Sequence, residues 1–150
     1  MSEFDALEKR LGALIGNLSA PARRALASTV AKRLRASQQQ NIRRQQAPDG
    51  TPFAPRKTQA RKKKGRVKRE MFAKLRTAKY MKVQATPDEA VVQFTGRVQR
   101  MARVHHYGLR DRPSRNGKEV KYEKRPLLGL NESDLILLEK EVLKELSSLM

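Results

Sequence analysis

The chain has 150 residues, 38% of them hydrophobic, which suffices for one small core; a single domain over residues 1–150 with irregular appendages is expected. Thirty-four Lys and Arg against fifteen Asp and Glu give a net charge of +19, which points to a polyanionic partner: nucleic acid, an anionic membrane surface or an acidic protein face. There is no cysteine, which excludes disulfides and thiolate metal sites, and no apolar run approaches the ~20 residues of a membrane span; with an acidic opening at Glu3 and Asp5, a soluble, unexported protein is expected.

From Phe4 the apolar residues Leu7, Leu11, Leu14, Ile15 and Leu18 recur at three- and four-residue steps, predicting an amphipathic helix that Gly16-Asn17 ends or bends. Ser19 or Ala20 followed by Pro21 reads as a helix start, because proline in the first turn gives up only an N–H that had no partner. A long helix then runs towards Ile42 with a narrow, alanine-rich stripe, so the N-terminus is expected to form a helical hairpin. Between Gln45 and Arg56 lie Pro48, Asp49, Gly50, Pro52 and Pro55, and the chain must turn there.

The stretch from Ala47 to Lys82 carries thirteen basic and two acidic residues, more than half of the net charge. At its centre, residues 57–69 have almost nothing to bury and are expected to be a flexible loop. Arg61, Lys62, Lys63, Lys64, Arg66, Lys68 and Arg69 form a candidate polyanion site. Each could neutralise a phosphate, but no Phe or Tyr lies between Thr58 and Arg69, so contact would be to backbone and not by base stacking. An acidic protein ring would satisfy the same charges, and the electrostatics permit both.

A short helix is expected from about Arg69 to Lys79, with Met71, Phe72 and Leu75 on one face. Tyr80 to Thr86 alternates with the period of a half-buried strand, Pro87-Asp88-Glu89 is a turn, and Ala90 to Phe94 is the returning strand. Val98 to Tyr107 is helical in pattern. Asn116-Gly117, between Arg112 and Val120, carries the strongest two-residue hairpin signal, predicting a second, irregular β-arm. In the last element Asn131 can cap, Asp134 stands three residues on, and Leu135, Leu138, Val142, Leu146 and Leu149 repeat at helical spacing. From Leu127 onward five acidic residues face two basic ones, so this amphipathic helix could answer a basic surface on a neighbouring copy. The fold class is α+β: an N-terminal helical hairpin, a small antiparallel sheet with an irregular arm, and a C-terminal amphipathic helix.

Catalysis has no visible address. His105 and His106 are the only imidazoles; adjacent on a helix they point about 100° apart and cannot both face one metal. Asp49, Asp88, Glu89 and Asp111 sit in turns or beside arginines, where local hydrogen bonds and ion pairs account for them. No cofactor, small-molecule substrate or membrane contact is expected, and an enzyme such as a nuclease pairing His105 with Asp111 is the remotest reading.

Three stretches, in order, resemble the tail completion (virion morphogenesis) family of contractile-tailed phages. Pro48 to Pro55, with Asp49, Gly50 and Phe53, is similar to that family's loop after the long basic helix. His105-His106-Tyr107-Gly108 is similar to its second segment, where glutamine is more usual than His106. Tyr122-Glu123-Lys124-Arg125-Pro126-Leu127-Leu128-Gly129 looks like the signature that leads into its C-terminal helix. The resemblance implies a structural, non-catalytic protein that completes the tail for joining to a DNA-filled head. It implies a ring, often sixfold, of copies of itself at the neck, touching other neck and tail proteins, first in the host cytoplasm and then in the virion; contact with the backbone of genome DNA is the option that the basic run leaves open beside an acidic protein surface. Asp49, Gly50, Phe53, His105, Tyr107, Gly108, Tyr122, Arg125, Leu127 and Leu128 are then the candidate assembly residues. Within that picture Arg125 is expected to pair with a carboxylate, Tyr107 and Phe53 to pack, and Leu127-Leu128 to lock the arm onto the core. The alternative from a different class is a non-specific nucleic-acid-binding protein of the architectural or ribosomal kind, suggested by the charge.

Overall fold

The computed structural model describes residues 3–56, 70–113 and 115–148; the basic run at 57–69 and Leu149 lie outside them. Helix α1 (Glu3–Gly16) and the long α2 (Ala20–Arg43) come first. Strands β1 (Met81–Ala85) and β2 (Ala90–Phe94) form one two-stranded sheet. Helix α3 (Gly96–Tyr107), the short antiparallel pair β3 (Arg110–Asp111) and β4 (Val120–Lys121), and α4 (Glu132–Ser148) complete an α+β chain. Among the described residues no helix is long and apolar enough to cross a membrane.

The start of α2 is set as its sequence dictates: the Ser19 hydroxyl accepts the Ala22 N–H at 3.3 Å, with Pro21 in the first turn. At the other hairpin, the Thr86 hydroxyl accepts the N–H groups of Asp88 and Glu89, and the Thr86 N–H donates to the Glu89 carbonyl at 2.9 Å. That closes a four-residue turn between β1 and β2.

The chain divides into two compact units, each assembled from distant stretches. The first contains Met1–Ser37, Lys82–Gln93 and Asn131–Met150. Here α1 packs on α4, and Leu26, Ala31 and Val142 are buried, Ala31 completely. The α4 cap is reciprocal: the Asp134 N–H donates to Asn131 Oδ1 at 2.8 Å and the Asn131 N–H to Asp134 Oδ2 at 3.1 Å. Asp134 also accepts the Ser37 hydroxyl. Glu139 pairs with Arg10 at 3.1 Å and Glu141 with Arg33 at 3.2 Å. Three of the five carboxylates on α4 are therefore engaged inside the unit. The expectation that this helix offers its acidity to a neighbouring copy is reduced to Glu132 and Glu145.

The second unit contains Gln38–Met81 and Phe94–Leu130, with Ile42, Phe53, Leu75, Met81, Phe94, Val104 and Leu127 in its core. The helix expected from Arg69 to Lys79 is not formed; residues 71–80 are a succession of turns. Its would-be first turn is diverted, because the Gln45 side-chain amide donates to the Met71 carbonyl at 2.8 Å and accepts the Met71 N–H at 3.0 Å. Phe72 then adopts φ +63°, a left-handed conformation that no helix can propagate. Leu75 is buried all the same. The Asn116-Gly117 signal marks a real turn, but not a two-residue hairpin: residues 112–119 all lie between β3 and β4, which pair only at Arg110 with Lys121 and Asp111 with Val120.

Candidate assembly site

The three signature stretches, far apart in sequence, converge in the second unit. The first begins where α2 runs out. Gln45 turns left-handed at φ +56°, and its carbonyl accepts the Phe53 N–H at 2.9 Å. Between them the chain closes on itself. The Ala47 N–H reaches the Thr51 carbonyl at 2.8 Å, and Gly50 supplies the turn at φ +91°. The Asp49 carboxylate accepts the Thr51 N–H at 2.9 Å, and this bond holds its pKa below the usual carboxylate value. The loop thereby presents Phe53 inward, 7% exposed, while Asp49 and Gly50 remain outside.

The second stretch ends α3. Gly108 takes the left-handed cap position at φ +67°, and its N–H and that of Leu109 both return to the Val104 carbonyl. A Cβ at residue 108 would lie 2.9 Å from the Lys124 backbone nitrogen, so the third stretch passes directly against this glycine. The His105 carbonyl accepts the Arg125 N–H at 2.8 Å, and His106 Nδ1 accepts the Leu127 N–H at 3.0 Å. That bond requires His106 neutral with its proton on Nε2. Burial lowers the pKa of both imidazoles, with Arg125 adding to the effect at His105 and Lys124 at His106. Glutamine, more usual at position 106 in the resembling segment, could accept the same bond through its side-chain oxygen.

Arg125 joins the third stretch to the first. Its Nε donates to the Ala54 carbonyl at 2.8 Å and its Nη2 to the Pro55 carbonyl at 3.0 Å. The expected carboxylate partner is thus replaced by two backbone carbonyls, which a planar guanidinium can span and a point-charge ammonium cannot. Desolvation lowers its pKa, opposed by Glu123 and reinforced by Arg56. Beside it an aromatic series runs through the site: Phe53 to Phe72 at 5.5 Å between centroids, Phe72 to His105 at 5.0 Å, and His105 to Tyr122 at 4.8 Å, all edge to face. Leu127 is 1% exposed and Leu128 half-buried. Tyr107 departs from expectation, since it is 59% exposed and touches only the ring of His106 among aromatic neighbours in the described residues.

Two glutamines complete the site that sequence reasoning passed over. The Gln38 amide donates to the Gly129 carbonyl at 2.9 Å and accepts the Gly129 N–H at 3.0 Å, while a Cβ on Gly129 would crowd Pro48 at 3.1 Å. Gln45 does the same for Met71. In both cases a side-chain amide imitates a strand neighbour. The residues of the expected polyanion site, 61–69, lie outside the described residues. Asp111 bonds Arg100 at 2.8 Å while His105 is committed to its aromatic neighbours, so the two are not presented as a catalytic pair. No cluster among the described residues could hold a metal.

Several signature residues of this chain therefore hold backbone to backbone, which defines a class of protein whose distinguishing positions serve packing. Residues 2–147 match the phage virion morphogenesis family, and the chain belongs to that family. It is 46% identical over 148 residues to the tail completion protein S of Escherichia phage P2, an alignment covering 97% of this chain and 99% of that protein. No solved structure matches it.

Proposed function

We propose that this chain completes the phage tail and enables its joining to the head, as a structural protein that assembles with copies of itself into a ring at the neck. The observation that carries the reading is the nearly full-length similarity to the tail completion protein of phage P2. The match runs through both units, so the whole chain is taken as one functional piece. The site agrees with this reading in character: Arg125, His106, Gln38 and Gln45 all spend their side-chain hydrogen bonds on backbone. Large apolar side chains stay exposed in each unit, Met101, Tyr107, Leu109 and Leu130 in one and Leu14, Ile136 and Leu143 in the other, and such surface is what an assembly buries. The protein is placed in the host cytoplasm during assembly and afterwards in the virion, among other neck and tail proteins.

Inactivating the gene in its phage tests the reading. Filled heads and separate tails should accumulate, and supplying the chain in trans should restore plaques. Normal numbers of joined virions without the chain would refute it. Native mass of the purified protein tests the ring: a discrete oligomer without added nucleic acid is expected, and a monomer at every concentration would contradict it.

A further inference from the structure

Among the described residues, the β3–β4 arm gathers exposed arginines around one trough. Arg100, Arg110, Arg112 and Arg115, with Asp111, Glu119 and Pro113, line an open trough of about 520 Å³. Asp111 is taken by Arg100, whose side chain is nevertheless 83% exposed. Arg110, Arg112 and Arg115 are exposed, and among the described residues none forms an ion pair. On α3, Arg97, Arg100 and Arg103 follow at three-residue steps, about 60° apart around the helix, and extend the positive edge.

The trough identifies its occupant by what it has and what it lacks. Guanidinium groups outnumber carboxylates, and each can grip a phosphate through two parallel N–H groups. Proline apart, the lining is charged, so a protein partner would find no apolar centre to bury. No aromatic ring lines it either, so bases cannot be stacked and read. A second copy of the chain is a poor match, because most carboxylates of α4 are already held by Arg10, Arg33, Ser37 and Asn131. We propose that the arm and the adjoining edge of α3 form a nucleic-acid contact site, in which Arg100, Arg110, Arg112 and Arg115 hold the phosphodiester backbone of duplex DNA without regard to sequence. The contact does not depend on the neck reading.

The test is an anisotropy titration of the full chain against a labelled duplex of about two helical turns at several salt concentrations. The triple variant R110Q/R112Q/R115Q should lower the slope of log K against log salt by about 2 to 3 and weaken low-salt binding roughly tenfold or more. A charge-matched control, K9Q/R24Q/K32Q on exposed positions of α1 and α2, should change the slope by less than about one. If the arm variant loses secondary structure by circular dichroism, the single variant R112Q takes its place, with an expected slope change of about one. Equal loss in arm and control variants would show a bulk charge effect and overturn the site, as would an unchanged slope in the arm variant or a wild type that does not bind. The neck reading is judged separately, on particles.

Discussion

At the scale of single residues, the candidate assembly site depends on polar side chains that bind backbone. Arg125 is the plainest case: it is 7% exposed and holds the carbonyls of Ala54 and Pro55. Arg125→Met removes both bonds and leaves two acceptors without a donor, an effect of about 3–6 kcal/mol if the two add, since hydrogen bonds from a charged group contribute about 1.5–3 kcal/mol each. Urea unfolding should show the loss as a lower midpoint, with helical content retained before the transition and self-assembly abolished; an unchanged midpoint would remove Arg125 from this role. The histidines make a second claim. Both have folded-state pKa values depressed by burial, so the unfolded chain binds more protons than the folded one as the pH falls. Their stabilising contribution is complete above the ordinary histidine pKa of about 6.5 and is lost as the pH falls below it towards the folded values. Urea midpoints should drop between mildly alkaline and mildly acidic buffer, and less so in His106→Gln, which keeps an acceptor for Leu127. A midpoint that rises on acidification would contradict the geometry.

At the scale of elements, the ends of helices decide where the chain goes. Gly108→Ala forces a left-handed alanine against the Lys124 backbone and should destabilise by about 1–3 kcal/mol, measured by thermal or urea unfolding. Asn131→Ala removes half of the reciprocal cap on α4 and should lower stability by about 1 kcal/mol. An effect of Gly108→Ala no larger than that of a surface substitution would show that the third stretch does not press on this cap. The Asn131–Asp134 cap, the two strands of the first hairpin and the three long helices were legible because each rests on neighbours within a few positions in sequence, whereas the Gly108 cap of α3 was not read. The segment at 70–80 was not legible. Its apolar spacing is helical, but the Gln45 amide claims the Met71 backbone from 26 positions away, and no local pattern announces that. The irregular arm was legible from Asn116-Gly117, but its extent was not: eight residues, 112–119, separate strands that pair at only two positions each, where the dipeptide signalled a two-residue hairpin.

At the scale of the whole molecule, the charge proves to be arranged and not merely abundant. Acidic residues of α4 neutralise Arg10 and Arg33, while arginines of the arm are left without ion pairs among the described residues. The sequence signatures pointed to the right family because their residues are the ones that bind the three stretches together. The partners they bind were hidden: Arg125 lies about 70 positions from its carbonyls and Gln38 lies 91 from Gly129. The most direct measurement of the central claim is reconstitution. Extracts of cells infected by phage lacking the gene should contain heads and tails that do not join, and adding the purified chain should produce infectious particles in proportion to the protein added. Tails that join heads equally well without it, or extracts that stay barren however much folded protein is supplied, would contradict the assignment to tail completion.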